Sequence, residues 1–255
     1  MAPGSTKRVA RIIIEAPVTS FRYPHFLIGR QVSFRMPPPS TIYGHVASAL
    51  GSYPELPFAF AYRFEYRALA RDLEHQQIIT RGGNPFSWQG KKYPKNIEAT
   101  IQPHQRDFLF EAKLTLYLPD VQLAASFRTP VFCVALGRSQ DLATITKVEE
   151  IELTQHNGAY FENTLLPFSW RAGVGFGATV QMPRYIEPPP ERRAYFSQYI
   201  QMEERIFAGN FDRTGVPDVR ILMHQDAEPR YWVDFDTPLR QGVHCGIHFH
   251  HVDKP

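Results

Sequence analysis

Phe34-Arg35-Met36-Pro37-Pro38-Pro39-Ser40-Thr41-Ile42-Tyr43-Gly44-His45-Val46 converts an extended chain into a helix. Each proline fixes its own φ and disfavours helix in the residue before it, so the approach is held open. Ser40 is then placed to cap a helix through its hydroxyl. Ile42, Val46, Ala49 and Leu50 recur at helical spacing over 41–50, and Gly51 stops the run. The reading gives a helix N-terminus with free backbone N–H groups, hydroxyls beside them and basic residues upstream. Such an end suits a phosphate. The plainer reading is a capped helix packed on a sheet.

Strands flank this helix. Residues 8–15 contain Ile12-Ile13-Ile14, the β-branched run of a strand covered on both faces. In 58–71, Phe58, Phe60, Tyr62, Phe64 and Tyr66 alternate with smaller or charged residues such as Arg63, Glu65 and Arg67. Phe108, Phe110, Ala112, Leu114, Leu116 and Leu118 repeat that period, which predicts a hairpin between the two runs. Residues 136–142 read as a short helix capped at Ser139, and 148–153 as a strand. The order strand, helix, strand, strand, short helix, strand makes this an α+β chain of ferredoxin-like wiring. A domain over 1–185 and a C-terminal extension over 186–255 are expected, with Pro188-Pro189-Pro190 as divider. In the extension, 191–207 reads as an amphipathic helix striped by Tyr195, Tyr199, Met202 and Ile206.

Between the hairpin runs, 72–106 is too long for an ordinary loop. It carries Gly82-Gly83-Asn84-Pro85, Trp88, Lys91, Lys92, Tyr93 and Lys95. Cations interleaved with aromatics suit contact with a nucleic-acid backbone and its bases. The plainer reading is a solvated loop.

A formal net charge of +3 over 255 residues does not by itself point to nucleic acid. Distribution says more: 1–52 hold Lys7, Arg8, Arg11, Arg22, Arg30 and Arg35 against Glu15 alone. Cys133 and Cys245 are too few for a disulfide framework, which suits a reducing cytoplasm. No apolar run approaches a membrane span, and the first residues do not resemble a secretory signal.

Several constellations have competing explanations. Arg171 and Gly173-Val174-Gly175-Phe176-Gly177 form a glycine-rich loop without the spacing of a P-loop or a dinucleotide fingerprint. It is either an approach to a ligand or a tight turn. On one strand, His244, His248 and His250 would share a face, yet no paired cysteines or carboxylates accompany them, so no metal is assigned. No nucleophile elbow or family-specific cysteine motif is present.

Two stretches carry a family resemblance. Ala16-Pro17-Val18-Thr19-Ser20-Phe21-Arg22 followed by Met36-Pro37-Pro38-Pro39-Ser40-Thr41-Ile42-Tyr43-Gly44 resembles the N-terminal signature of the CRISPR-associated Cas-five family. Phe132-Cys133-Val134-Ala135-Leu136-Gly137-Arg138-Ser139-Gln140-Asp141-Leu142 resembles its Leu-Gly-Arg-Ser-x-Asp-Leu element. The resemblance implies an RRM-like (RAMP) domain with a thumb hairpin inserted at about 72–106. It implies a subunit of a type I Cascade complex that grips the 5′ handle of the CRISPR RNA without catalysis or cofactor. Partners would be a backbone-forming RAMP subunit and a large subunit, with target DNA met indirectly. Residues assigned to RNA on this basis are Arg22, Ser40, Thr41, Gly44, His45, Trp88, Lys91, Lys92, Lys95, Arg106, Arg138 and Ser139. One branch of the family cleaves precursor RNA with a tyrosine, a lysine and a histidine. Tyr43 or Tyr53, Lys113 and His104 supply those types here, without the adjacent Lys-His pair expected of that branch. A metal-independent endoribonuclease and an RRM-like protein-interaction module that binds no RNA remain the alternatives.

Overall fold

The computed structural model describes residues 5–24, 29–81, 86–93, 97–214, 219–223 and 229–253. The main elements are β1 (Thr6–Thr19), α1 (Pro39–Leu50), β2 (Phe58–Glu65), β3 (Ala68–Arg81), β4 (Ile97–Leu118), α2 (Ala124–Arg128) and β5 (Thr144–His156). They continue with β6 (Gly158–Phe161), β7 (Thr164–Pro167), β8 (Ala178–Ile186), β9 (Ala194–Met202) and β10 (Ile206–Gly209). The last three are β11 (Tyr231–Asp234), β12 (Cys245–Ile247) and β13 (His250–Val252).

β1 pairs antiparallel with β4 on one side and β5 on the other, and β4 continues to β2. The order β5–β1–β4–β2 forms the centre of a sheet that β11, β12 and β6 extend at one edge and β13 at the other. α1 follows the first of these four strands and α2 the third. The expected first strand and the 108–118 strand are both present and longer than predicted.

The two sheet faces are filled differently. On one, Ile42, Val46 and Ala49 of α1 meet Ile12 and Ile14 of β1, Phe60 and Tyr62 of β2, and Leu114 and Leu116 of β4. The strand alternation foretold this, since residues two apart share a face. On the other, Val9, Ala61, Tyr117 and Leu153 are covered by Ile247 and by partly buried Trp232 and Phe249. The C-terminal residues therefore close the face that α1 leaves open.

A buried charge stands beside that second cluster. Arg11, 7% exposed, donates to Asp234 at 2.8 Å, to Glu149 at 2.6 Å and to Asp236 at 2.7 Å. The Tyr117 hydroxyl donates to the same Asp234 carboxylate at 2.9 Å. Burial opposes the guanidinium charge, but these hydrogen bonds outweigh it and the Arg11 pKa rises.

Five expectations are corrected. The helix is capped by Pro38, not Ser40, with Pro39 in its first position and no side-chain cap bond. The 58–71 strand breaks at Tyr66 and Arg67, where Arg67 N–H donates to Phe110 O at 2.9 Å. Residues 136–142 form a turn closed by the Ala135–Leu142 bridge, and the short helix lies earlier, at Ala124–Arg128. The 191–207 helix is absent: β9 and β10 occupy the segment, and β9 pairs with β8 from Ala178↔Gln201 to Ile186↔Ala194. Pro188-Pro189-Pro190 sits in the connection of that hairpin rather than ahead of a helix. The three histidines do not share a strand either, because β12 and β13 join different neighbours.

Asp234→Ala strands both Arg11 and the Tyr117 hydroxyl. Breaking one partner of a buried ion pair costs about 3–5 kcal/mol, and the remaining carboxylates on Arg11 place the expected loss near the lower end, about 3 kcal/mol. Urea unfolding of the variant against the parent measures it; a loss under about 1 kcal/mol on that scale rejects the assignment.

Candidate nucleic-acid interface

The first turns of α1 open onto a cleft of about 320 Å³. Ser40, Thr41, Gly44 and Ser48 line it from the helix, Tyr53 from the following loop, Ala135 and Gly137 from the turn, and Arg192 from the β8–β9 connection. No carboxylate lines it among the described residues. Gly44 is exposed, and a Cβ there would meet nothing within 4 Å, so its missing side chain leaves room in the cleft.

Backbone donors are scarcer than the sequence suggested. Pro38 and Pro39 have no N–H, and Thr41 N–H already donates to Pro38 O at 2.8 Å. The hydroxyls of Ser40, Thr41 and Ser48 therefore supply most of the polar capacity. Tyr43 also lines the cleft, but its hydroxyl is committed, donating to Pro54 O at 2.7 Å. Burial raises its pKa to about 12.

His45 lines the cleft wall but is buried. Its Nδ1 lies 3.1 Å from Ala135 O, which can only accept, so Nδ1 carries the hydrogen. Burial lowers its pKa, with the bond to Ala135 opposing, and the ring is neutral at pH 7. His45 thus ties the 135–142 turn to α1 and holds the cleft in shape.

That turn is pinned from a second side. Gly137 has φ +102°, and a Cβ there would lie 2.5 Å from Thr19 Oγ1 and 2.8 Å from Ser20 O. The Thr19 hydroxyl donates to Leu136 O. Asp141, buried, accepts from Arg138 N–H at 3.1 Å and from its guanidinium at 2.6 Å.

Arg138 also pairs with Glu74 of β3, as does Arg106 of β4. Its guanidinium lies 4.7 Å from the Phe108 ring centroid. These two arginines lock the turn to the base of a long ribbon in which β3 and β4 pair from Ala68↔Phe110 to Arg81↔Ile97. Residues 72–106, read as a long insertion and, on the resemblance, as a hairpin, are largely strand among the described residues. Burial would raise the Glu74 pKa, but Arg106 and Arg138 more than compensate and hold it below its ordinary 4.5.

Towards the end of the ribbon, short strands Phe86–Trp88 and Lys91–Tyr93 pair, setting Trp88 opposite Lys91 and Ser87 opposite Lys92. Trp88 is 61% exposed, and both lysines are exposed. Phe86 and Tyr93 stack at 5.5 Å. Arg22 is exposed on a short strand next to Ser33–Phe34, and Ser139 is exposed at the turn. Lys95 lies outside the described residues.

The structure thus gathers Ser40, Thr41, Gly44 and His45 into one cleft, pairs Arg106 and Arg138 with Glu74 elsewhere, and sets Trp88, Lys91 and Lys92 apart from both. Arg192 was missed; its signal was the Glu191-Arg192-Arg193 run after three prolines. The glycine-rich loop is a tight turn: Arg171 donates to Phe176 O at 2.8 Å and to Gly177 O at 3.1 Å. Among the described residues, no three His, Cys, Asp or Glu side chains group as metal ligands.

A family profile described as CRISPR-associated protein (Cas_Cas5) matches residues 11–207. No curated protein matches by sequence. Among solved structures, a chain of a CRISPR RNA-guided surveillance complex is similar at 13% identity and TM-score 0.46, covering 76% of this chain and 91% of that one. A chain of a type III-B Cmr-beta complex bound to cognate target RNA and AMPPnP is similar at 9% identity and TM-score 0.46, covering 76% and 85%. A CRISPR protein from Archaeoglobus fulgidus is similar at 11% identity and TM-score 0.39, covering 78% and 90%.

Two outcomes are expected here. Gly137→Ala imposes a left-handed φ and a clash, so a loss of about 2 kcal/mol, or roughly 4–8 °C in Tm, is expected by thermal unfolding. Glu74 has a depressed pKa, so its stabilisation is present above pH 4.5 and fades as pH falls below it. The stability difference between the parent and Glu74→Gln is therefore expected to shrink on titration from pH 7 towards strong acid; a difference that stays constant contradicts the ion-pair account.

Proposed function

Because the chain belongs to the CRISPR-associated Cas-five family, we propose that it is the subunit of a type I Cascade complex that grips the 5′ handle of the CRISPR RNA. One observation carries this reading: the α1 cleft presents hydroxyls, an open glycine and Arg192, and no carboxylate among its described lining residues. Phosphate oxygens and ribose hydroxyls are what such a lining satisfies, and single-stranded RNA offers both.

In this reading the strands β5–β1–β4–β2 with α1 and α2 are the ferredoxin-like RAMP unit, and the β3–β4 ribbon is its thumb. The face on which an RRM stacks bases is covered here by Trp232, Ile247 and Phe249, so the 5′ handle is met at α1 and along the ribbon instead. Ser40 and Thr41 hold phosphate or sugar, and Gly44 lets the strand approach. Trp88, Lys91 and Lys92 reach between nucleotides near the next subunit. Arg106 and Arg138, committed to Glu74, set where the thumb points. The partners are a backbone-forming RAMP subunit and a large subunit, in the cytoplasm. No helix of the described residues is long and apolar enough to cross a membrane.

The role is non-catalytic. The candidate trio for cleavage is dispersed, which supports this: Tyr53 lines the α1 cleft, Lys113 a separate groove with Glu15 and Glu111, and His104 is buried in β4.

Gly44→Leu fills the open space of the cleft while improving helix propensity by up to about 1 kcal/mol. Binding to a repeat-derived 5′-handle RNA, measured by fluorescence anisotropy with chelator present, is expected to weaken at least tenfold, roughly 1.4 kcal/mol, with Tm unchanged or raised. Unaltered affinity, or equal affinity for a scrambled RNA, refutes the cleft assignment. A cut product in the same tubes refutes the non-catalytic role.

A further inference from the structure

A second pocket lies on the sheet face opposite α1. It has a volume of about 320 Å³ and is walled by Trp170, Trp232, Phe249 and His248, with Lys7 and Arg230 at its edges. No Asp or Glu lines it among the described residues. Lys7 Nζ sits 4.5 Å from the Phe249 ring centroid and 5.7 Å from that of Trp232. Trp170 meets His248 edge-on at 5.0 Å. Burial pushes the His248 pKa down to about 4, with His251 adding to it, so a neutral ring faces the pocket at pH 7. It offers one N–H and one lone pair.

We propose that this is a nucleotide-binding pocket, in which the aromatic walls take one nucleobase and Lys7 and Arg230 take its phosphate. Aromatic side chains accept any base, because every base has a π face. The choice of ligand follows from charge. Lys7 sits over the Phe249 and Trp232 rings, which disfavours a second cation there; drawn onto a phosphate, it leaves those faces to the base. Exposed Arg230 adds to a cationic rim, which favours an anion carrying a flat ring. The nucleotide is either free or part of an RNA strand. The inference does not depend on the α1 cleft.

Tryptophan fluorescence isolates the pocket. The chain has three tryptophans, and two of them, Trp170 and Trp232, line it. In full-length protein carrying Trp88→Phe, titration with uridine monophosphate and with a short oligouridylate is expected to give saturable quenching. Adding Lys7→Glu or Arg230→Glu is expected to weaken it at least fivefold, with far-UV circular dichroism unchanged. Quenching by the oligomer alone assigns the pocket to an RNA strand; quenching by both at similar concentration assigns it to free nucleotide. Absence of quenching by either ligand overturns the proposal, as does quenching indifferent to both charge reversals. Gly44→Leu is expected to leave the quenching intact; its loss in that variant relocates the effect to the α1 cleft and also overturns the proposal.

Discussion

The backbone ladder between β1 and β4, from Ala10↔Leu118 to Thr19↔Leu109, is the constraint on which the rest hangs. Each strand of the pair has a second partner over much of its length, β1 to Glu15 and β4 over Lys113–Tyr117, so neither is an edge there. α1 needs this ladder because its apolar stripe has nowhere else to go. The C-terminal strands need it too, as Asp234 finds its cation in Arg11 and its phenol in Tyr117, one from each strand. Even the 135–142 turn is held to it, through Thr19 and the close approach of Gly137.

Charge is distributed over this frame in two ways that composition does not separate. Arg11, Arg106 and Arg138 are consumed by carboxylates and act as fasteners. Lys91 and Lys92 stand exposed, with no partner described for them, and Arg192 lies in a cleft lining that holds no carboxylate. Net basicity overstates what is free to meet an anion. The relevant quantity is the cation left after internal pairing.

Legibility followed the range of the forces involved. The Ile12-Ile13-Ile14 run, the Phe58–Tyr62 alternation and the Gly51 stop are local patterns, and the structure honours each. Residues 191–207 misled because Tyr195, Tyr199, Met202 and Ile206 fit a helical stripe, whereas the deciding partner, Ala178–Ile186, lies across a proline turn that periodicity cannot see past. Leu136–Leu142 looked helical until Gly137, at φ +102°, showed that the chain bends for a close approach to Thr19. In the site, Ser40, Thr41 and Gly44 were readable from their helix. The pairing of Arg106 and Arg138 with Glu74 was not, because it spans 32 and 64 residues.

β4 runs unbroken from the core to the far part of the ribbon. Its partner is interrupted at Tyr66 and Arg67, beside Glu111 at φ +48°, with Arg67 holding the Glu111 carboxylate at 2.8 Å. The ribbon is therefore a lever whose angle is set near its root, by this break and by the Glu74 ion pairs. From Phe110 to Ile97 a strand spans roughly 40 Å, so a tilt of about 5° at the root carries the far end by about 3.5 Å, close to one base step. Mechanical amplification of this kind makes the reach of Trp88 a property of residues that never touch it.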